Sequence, residues 1–105
     1  MGLEIDEREG DGAFIVTVSG EVDLYSSPEL RRAVTQAVAK RTGTVAVDLR
    51  GVQYMDSSGV ATLVEGLRAV ADTGTGFVLV APSQPVVKVL QLARLDAVFD
   101  IRDRL

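Results

Sequence analysis

Five β-type runs interleave with three segments of helical period, and this alternation limits the possible folds more than any other feature. Leu3-Glu4-Ile5-Asp6-Glu7 alternates apolar and polar residues, as a half-exposed strand does. Ala13 to Ser19 is β-rich, with Phe14, Val16 and Val18 on one face, and Glu9-Gly10-Asp11-Gly12 is the turn signal before it. The two runs read as an antiparallel hairpin whose second strand ends at Gly20. Ser27-Pro28-Glu29 supplies a cap, a proline at the first helical position and an acid in the first turn. Leu30, Ala33, Val34, Ala37 and Val38 then recur at helical spacing until Thr42-Gly43. Thr44 to Leu49 is a strand whose density of Val and Ala predicts burial on both faces.

The second helix carries Val60, Leu63, Val64, Leu67, Val70 and Ala71 on one stripe and stops near Asp72-Thr73-Gly74. Phe77 to Ala81 is again a strand. Pro82-Ser83-Gln84-Pro85 opens a third helix with Val86, Val87, Leu90 and Ala93 inward, and Val98 to Ile101 is a short last strand. The order β-β-α-β-α-β-α-β predicts an α/β layer fold. Its sheet is mixed and mostly parallel, with an N-terminal antiparallel strand and helices packed on it. All connections are short, and the whole chain, 1–105, reads as one domain.

Composition removes several function classes. There is no cysteine, hence no disulfide framework or thiolate metal site, and no histidine, the commonest general base and metal ligand. The formal charge of −4, with Lys40 and Lys88 the only lysines, argues against a nucleic-acid partner. No basic start is followed by an apolar signal region, and no apolar run approaches membrane-spanning length. The expectation is a soluble cytoplasmic protein with no membrane insertion, no metal and no cofactor.

Chemistry concentrates where the strand Val45 to Leu49 leads, through a short loop, into Asp56-Ser57-Ser58-Gly59 and the second helix. A helix N-terminus offers free backbone N–H groups and favours negative charge, so a serine hydroxyl there is suited to carry or lose a phosphate. The same residues also make good caps and need do nothing else. Gly59 sits in the first turn, where it costs about 1 kcal/mol against alanine, which implies close approach by another backbone or by a phosphate. Tyr54 and Met55 are large groups on a loop that a cap alone does not require. The outer helix face, Ala61, Thr62, Gly66 and Ala69, is small and suits either an approaching partner or a second packed layer. The loop Gly20 to Tyr25 belongs at the same end of the sheet and brings Asp23 nearby, although Asp23 alone also reads as an ordinary turn residue.

The run Val47-Asp48-Leu49 through Met55-Asp56-Ser57-Ser58-Gly59, preceded by Gly20-Glu21-Val22-Asp23, resembles the STAS domain of bacterial anti-sigma-factor antagonists. The likeness extends over essentially the whole chain, including the Pro85-Val86 helix start and the Leu95 to Phe99 tail. It implies that Ser57, the first serine of the pair, is phosphorylated by an anti-sigma factor that is also a serine kinase. It implies further that Asp56, Ser58, Gly59 and Thr62 shape the partner-binding surroundings, with Asp23 close by. The unphosphorylated protein then binds the kinase and frees the sigma factor, and a metal-dependent serine phosphatase restores it. From the residues alone, Ser57 and Ser58 are equivalent candidates, and self-association stays open.

Two other roles use the same domain: a subunit of a lipid-transport ABC complex docked on its ATPase, and a subunit of a stress-sensing assembly. The phosphorylatable corner favours sigma regulation over transport. Catalysis fits poorly, because a serine nucleophile needs a base and an orienting partner, and the Gly-x-Ser-x-Gly elbow is missing. No Gly-x-x-x-x-Gly-Lys loop supports nucleotide binding by the domain itself.

Overall fold

A computed structural model describes residues 2–105. The strands are β1 (Leu3–Gly10), β2 (Ala13–Val22), β3 (Thr44–Met55), β4 (Gly76–Val80) and β5 (Asp100–Arg102); the helices are α1 (Ser27–Ala39), α2 (Ser57–Val70) and α3 (Gln84–Leu92). They form one sheet in the order β1-β2-β3-β4-β5, antiparallel at β1–β2 and parallel at the other pairings. The hairpin closes through Asp11 and Gly12, both at positive φ (54° and 78°), the geometry of a two-residue turn matched to strand twist. Because β2 to β5 run parallel, the residues that follow β2, β3 and β4 all emerge at one end of the sheet.

Two strands are longer than their sequence predicts. β2 continues through Gly20 to Val22, and β3 continues from Leu49 to Met55 through what reads as a loop. The pairing of β2 with β3 is irregular between Thr17 and Ser19 and again between Gly20 and Glu21. Glycine serves those irregularities. Gly20 lies at φ +101°, where a Cβ would strike the Gly2 carbonyl, and a Cβ on Gly51 would stand 2.8 Å from that of Ser19. These glycines permit a bulged, close-packed strand pair and do not end it.

All three helices contribute to a main apolar cluster that includes Val16, Val18, Leu30, Val34, Val47, Leu49, Leu63, Leu79, Val86 and Leu90. A second, small cluster holds Ala46, Val78 and Val80, with Ile15 and Ala81 packed against it and no helical residue. So β3 is buried on both faces as its composition predicts, but the helices supply only one of them.

Helix ends depart from prediction by a residue or so. Ser26, not Ser27, is the cap of α1, and Ser27 is buried as the first helical residue. Ala71 and Ala93 fall just beyond α2 and α3 and are exposed, so neither joins the core. Val98 is exposed and precedes β5, whereas Phe99 is buried with its ring 6.4 Å from that of Phe77. Among the described residues, no helix is long and apolar enough to cross a membrane.

Candidate functional site at the start of α2

β3 ends at buried Met55, paired in register with Val22 at the end of β2. The chain then turns. Asp56 is extended (φ −105°, ψ −170°), and its N–H donates to the Val22 carbonyl at 3.1 Å. Its carboxylate accepts the Ser58 N–H at 2.9 Å and also the Ser58 hydroxyl, so Asp56 is a true side-chain cap. The Asp56 carbonyl accepts the N–H groups of Gly59 and Val60 at 3.1 and 3.2 Å, which starts the helix.

Beneath this turn lies Gly59, which is buried. A Cβ there would stand 2.7 Å from Met55 Cγ and 2.8 Å from Val22 Cγ1. The close approach predicted for Gly59 is real, but the groups that approach are two side chains of the domain itself. The missing Cβ lets the ends of β2 and β3 sit directly under the first turn of α2.

The two serines, equivalent in sequence, differ in structure. Ser58 is half-buried and its hydroxyl is spent on Asp56. Ser57 is exposed, and its hydroxyl makes no hydrogen bond to any described residue. Ser57 is therefore the hydroxyl of the pair that an outside group can reach without first breaking a contact.

Asp23 follows Val22 at the same end of the sheet but turns into its own loop. Its carboxylate accepts the N–H groups of Ser26 at 2.9 Å and Tyr25 at 3.0 Å and lies 3.2 Å from the Ser26 hydroxyl. The Ser26 N–H foremost, with the Ser26 hydroxyl and Tyr25 N–H, holds the Asp23 carboxyl below the usual carboxylate range, against an opposing desolvation. Asp23 is thus both beside the corner and a turn residue.

Thr62 and Gly66 require correction as an approachable face. Thr62 is only 1 % exposed, and its hydroxyl donates to the Ser58 carbonyl at 3.0 Å. A Cβ on Gly66 would meet Val34 Cγ1 at 2.7 Å and the Phe77 ring at 2.8 Å. The small residues of α2 seat α1 and the sheet; only Ala61 and Ala69 of that set are exposed. Tyr54 and Met55 likewise belong to β3, with Met55 in the core and Tyr54 outward. Sequence reasoning overlooked Leu24 and Tyr25, whose apolar side chains project from the β2–α1 loop. An apolar pair inside an otherwise polar connection is the signal that marks them.

The basic groups at the corner are carboxylates, and both are engaged: Asp56 by the Ser58 N–H and hydroxyl, Asp23 by its own loop. Lys40 lies at the C-terminal end of α1, 6.0 Å from the Phe14 ring, and Lys88 is exposed on α3. Among the described residues, no three His, Cys, Asp or Glu side chains gather as a metal site. What the corner offers is one free hydroxyl on a rigid, tightly packed helix start.

The family model of the STAS domain matches residues 4–105. The anti-sigma-B factor antagonist of Bacillus subtilis (strain 168) is 27% identical over 101 residues, covering 96% of this chain and 92% of that protein. The anti-sigma-B factor antagonist of Listeria monocytogenes serovar 1/2a is 27% identical over 103 residues, covering 98% of this chain and 90% of its own. The crystal structure of an anti-sigma factor antagonist from Mycobacterium paratuberculosis superposes with a TM-score of 0.90 at 28% identity, over 99% of this chain and 88% of that one. With the sheet order, the capped corner and a match along nearly every residue, the chain belongs to the STAS domain family.

Proposed function

We propose that this chain is an anti-sigma factor antagonist controlled by phosphorylation of Ser57. In its unmodified form it binds an anti-sigma factor that is also a serine kinase, and so releases the sigma factor. The observation that carries the reading is the difference between the two serines: Ser57 is exposed and free, while Ser58 is half-buried and bonded to Asp56. The names of its full-length relatives support the same role. Asp56, Ser58 and Gly59 then act by fixing the turn, Thr62 by bracing it from within, and Asp23 by ordering the neighbouring loop. The reading implies a cytoplasmic location and a metal-dependent serine phosphatase that reverses the modification.

The chemistry follows from the exposed hydroxyl. The Ser57 oxygen attacks the γ-phosphorus of the kinase's ATP, the bond from that phosphorus to the β,γ-bridging oxygen breaks, the hydroxyl proton passes to a base of the kinase and ADP leaves. The product carries roughly −1.5 to −2 charge where there was none. Within the chain the α2 N-terminus favours that charge by about 0.3–1 kcal/mol. Against an acidic partner surface the same charge is unfavourable. Two unit charges about 7 Å apart repel by roughly 2 kcal/mol at an effective dielectric near 20, and a near-dianion by about twice that. Each 1.4 kcal/mol is about tenfold in affinity, so local charge is enough to release the kinase.

The test uses the anti-sigma factor kinase of the same genome with ATP. Intact mass should rise by one phosphate in the wild type and stay constant in Ser57→Ala, which still binds the kinase. Ser57→Asp should bind at least about tenfold more weakly. Phosphate incorporation that persists in Ser57→Ala refutes the assignment.

A further inference from the structure

We propose that the free edge of β5 pairs with β5 of a second copy of this chain, antiparallel about a twofold axis at Ile101, so that two five-stranded sheets become one. The pairing is independent of the function proposed above. The outer strands of the sheet are β1 and β5, and each leaves one row of backbone N–H and C=O groups unpaired. The two edges differ in charge. β1 carries Glu4, Asp6, Glu7 and Glu9 against Arg8 alone, so two such edges repel. β5 alternates Asp100, Ile101 and Arg102 and has no net charge.

The backbone of β5 decides which groups are available. Asp100, Ile101 and Arg102 stand beside Val78, Leu79 and Val80 of β4, and the Ala81 N–H donates to the Arg102 carbonyl at 2.7 Å. Arg102 therefore turns its backbone groups toward β4, and by strand alternation the Ile101 N–H and C=O point away from the sheet. In an antiparallel ladder, two opposed residues of that orientation exchange both N–H···O bonds. With the twofold at Ile101, the residue exchanges them with its own copy. Asp100 then stands opposite the second copy's Arg102, and Arg102 opposite the second copy's Asp100. These are the positions without hydrogen bonds, where Cα atoms approach to about 4.5 Å and side chains meet most closely.

The side chains agree with this register. Within the strand, Arg102 Nη2 lies 2.8 Å from Asp100 Oδ2, and both side chains are half exposed. In the pair, two carboxylates and two guanidinium groups alternate around a rectangle, so each charge gains a second opposite neighbour. An axis moved to Asp100 or Arg102 would set that charge against its own copy, so the pattern selects Ile101. The Ile101 side chain shares the helical face of the sheet with Leu79 and is 39% exposed at the edge. Its own copy covers it. Helix α3 packs chiefly on β3 and leaves that space beside β5 open. Val98 and Leu105, both half exposed, add apolar surface on either side. A three-residue edge falls short of the roughly 1,200 Å² of a stable interface, so the pair is weak and reversible.

The axis stands normal to the sheet, which puts both helical layers on one side. β5 runs parallel to β3, so the second copy's β3 runs the opposite way. The two Ser57 corners therefore leave opposite ends of the joined sheet, and neither is covered.

The experiment combines sedimentation equilibrium with amide hydrogen exchange, from about 10 μM to about 1 mM. The wild type should pass from monomer to dimer, and exchange at the Ile101 amide should slow as concentration rises while β1 stays unchanged. Asp100→Arg and Arg102→Asp should each weaken self-association at least about tenfold, because like charges then face across the axis. Equal amounts of the two variants, mixed, should pair as the wild type does, and high salt should reduce that recovery. Mixing does not repair a folding defect, so the recovery separates pairing from misfolding. Ser57→Asp should pair like the wild type.

A wild type that stays monomeric up to about 1 mM overturns the proposal. So does undiminished association of the single variants, a mixture that stays apart, protection in β1 instead of at Ile101, or a Ser57→Asp variant that no longer pairs. Assemblies larger than a dimer also overturn it, since they need a head-to-tail contact. A chain that pairs as described but binds no anti-sigma factor kinase refutes the proposed function and leaves the pairing established.

Discussion

Replacing Asp56 isolates the group that makes the corner. In Asp56→Ala two contacts vanish together, the bond from the Ser58 N–H at 2.9 Å and the bond from the Ser58 hydroxyl. Loss of a helix N-cap costs about 0.5–2 kcal/mol, and a partly buried bond to a charged acceptor lies toward the upper part of that range. We therefore expect a loss of about 1–2 kcal/mol. For a chain of 105 residues, an unfolding entropy near 2.1 cal/mol/K per residue sums to about 0.22 kcal/mol/K. The melting temperature should then fall by about 4–9 °C. Asp56→Asn keeps an acceptor oxygen in place, and asparagine caps as well as aspartate, so its loss should stay below about 0.5 kcal/mol. Thermal unfolding followed by far-UV circular dichroism separates the two variants. The alanine variant should also free the Ser58 hydroxyl, so that peptide mapping after kinase treatment finds phosphate at both serines. An unchanged melting temperature for Asp56→Ala refutes the capping argument. Equal losses for alanine and asparagine assign the effect to charge instead of to the bonded oxygen.

Gly66→Ala sets two effects against each other. The helix gains about 1 kcal/mol from alanine, but the new methyl must displace Val34 and the Phe77 ring, both buried, at about 1–3 kcal/mol; a chemical denaturation midpoint above wild type contradicts this packing. Acid should weaken the β2–α1 loop. The Asp23 carboxyl titrates below its unfolded value, so the unfolded chain binds the proton more readily, and the stabilisation is complete above about pH 4 and lost as pH falls through the folded value. The gap in melting temperature between wild type and Asp23→Ala should accordingly narrow below pH 4, and a gap that widens there reverses the assignment.

The order of elements was legible because each apolar run carries its own period and each connection its own turn chemistry. Strand lengths were not, and the reason is specific. Gly20 reads locally as a strand end and the stretch after Leu49 as a loop, yet in the sheet Gly20 and Gly51 allow β2 and β3 to shift register and remain paired. The same kind of ambiguity hid the role of Thr62 and Gly66. Small residues on a helix face allow close approach, but the sequence does not say what approaches, and here it is α1 and the sheet. The choice between Ser57 and Ser58 depends on side-chain direction at a helix start, a property that a Ser-Ser pair does not encode. The location of the corner, by contrast, followed from the strand-to-helix order and needed no detail.

The corner is built by Val22, Met55, Asp56 and Gly59, and the hydroxyl of Ser57 contributes nothing to it. Under the proposed reading a phosphate is therefore added to and removed from a finished scaffold, with no refolding in either direction. Under the proposed reading, one codon at position 57 is enough to produce a permanently armed antagonist, and calorimetry would find it indistinguishable from its parent.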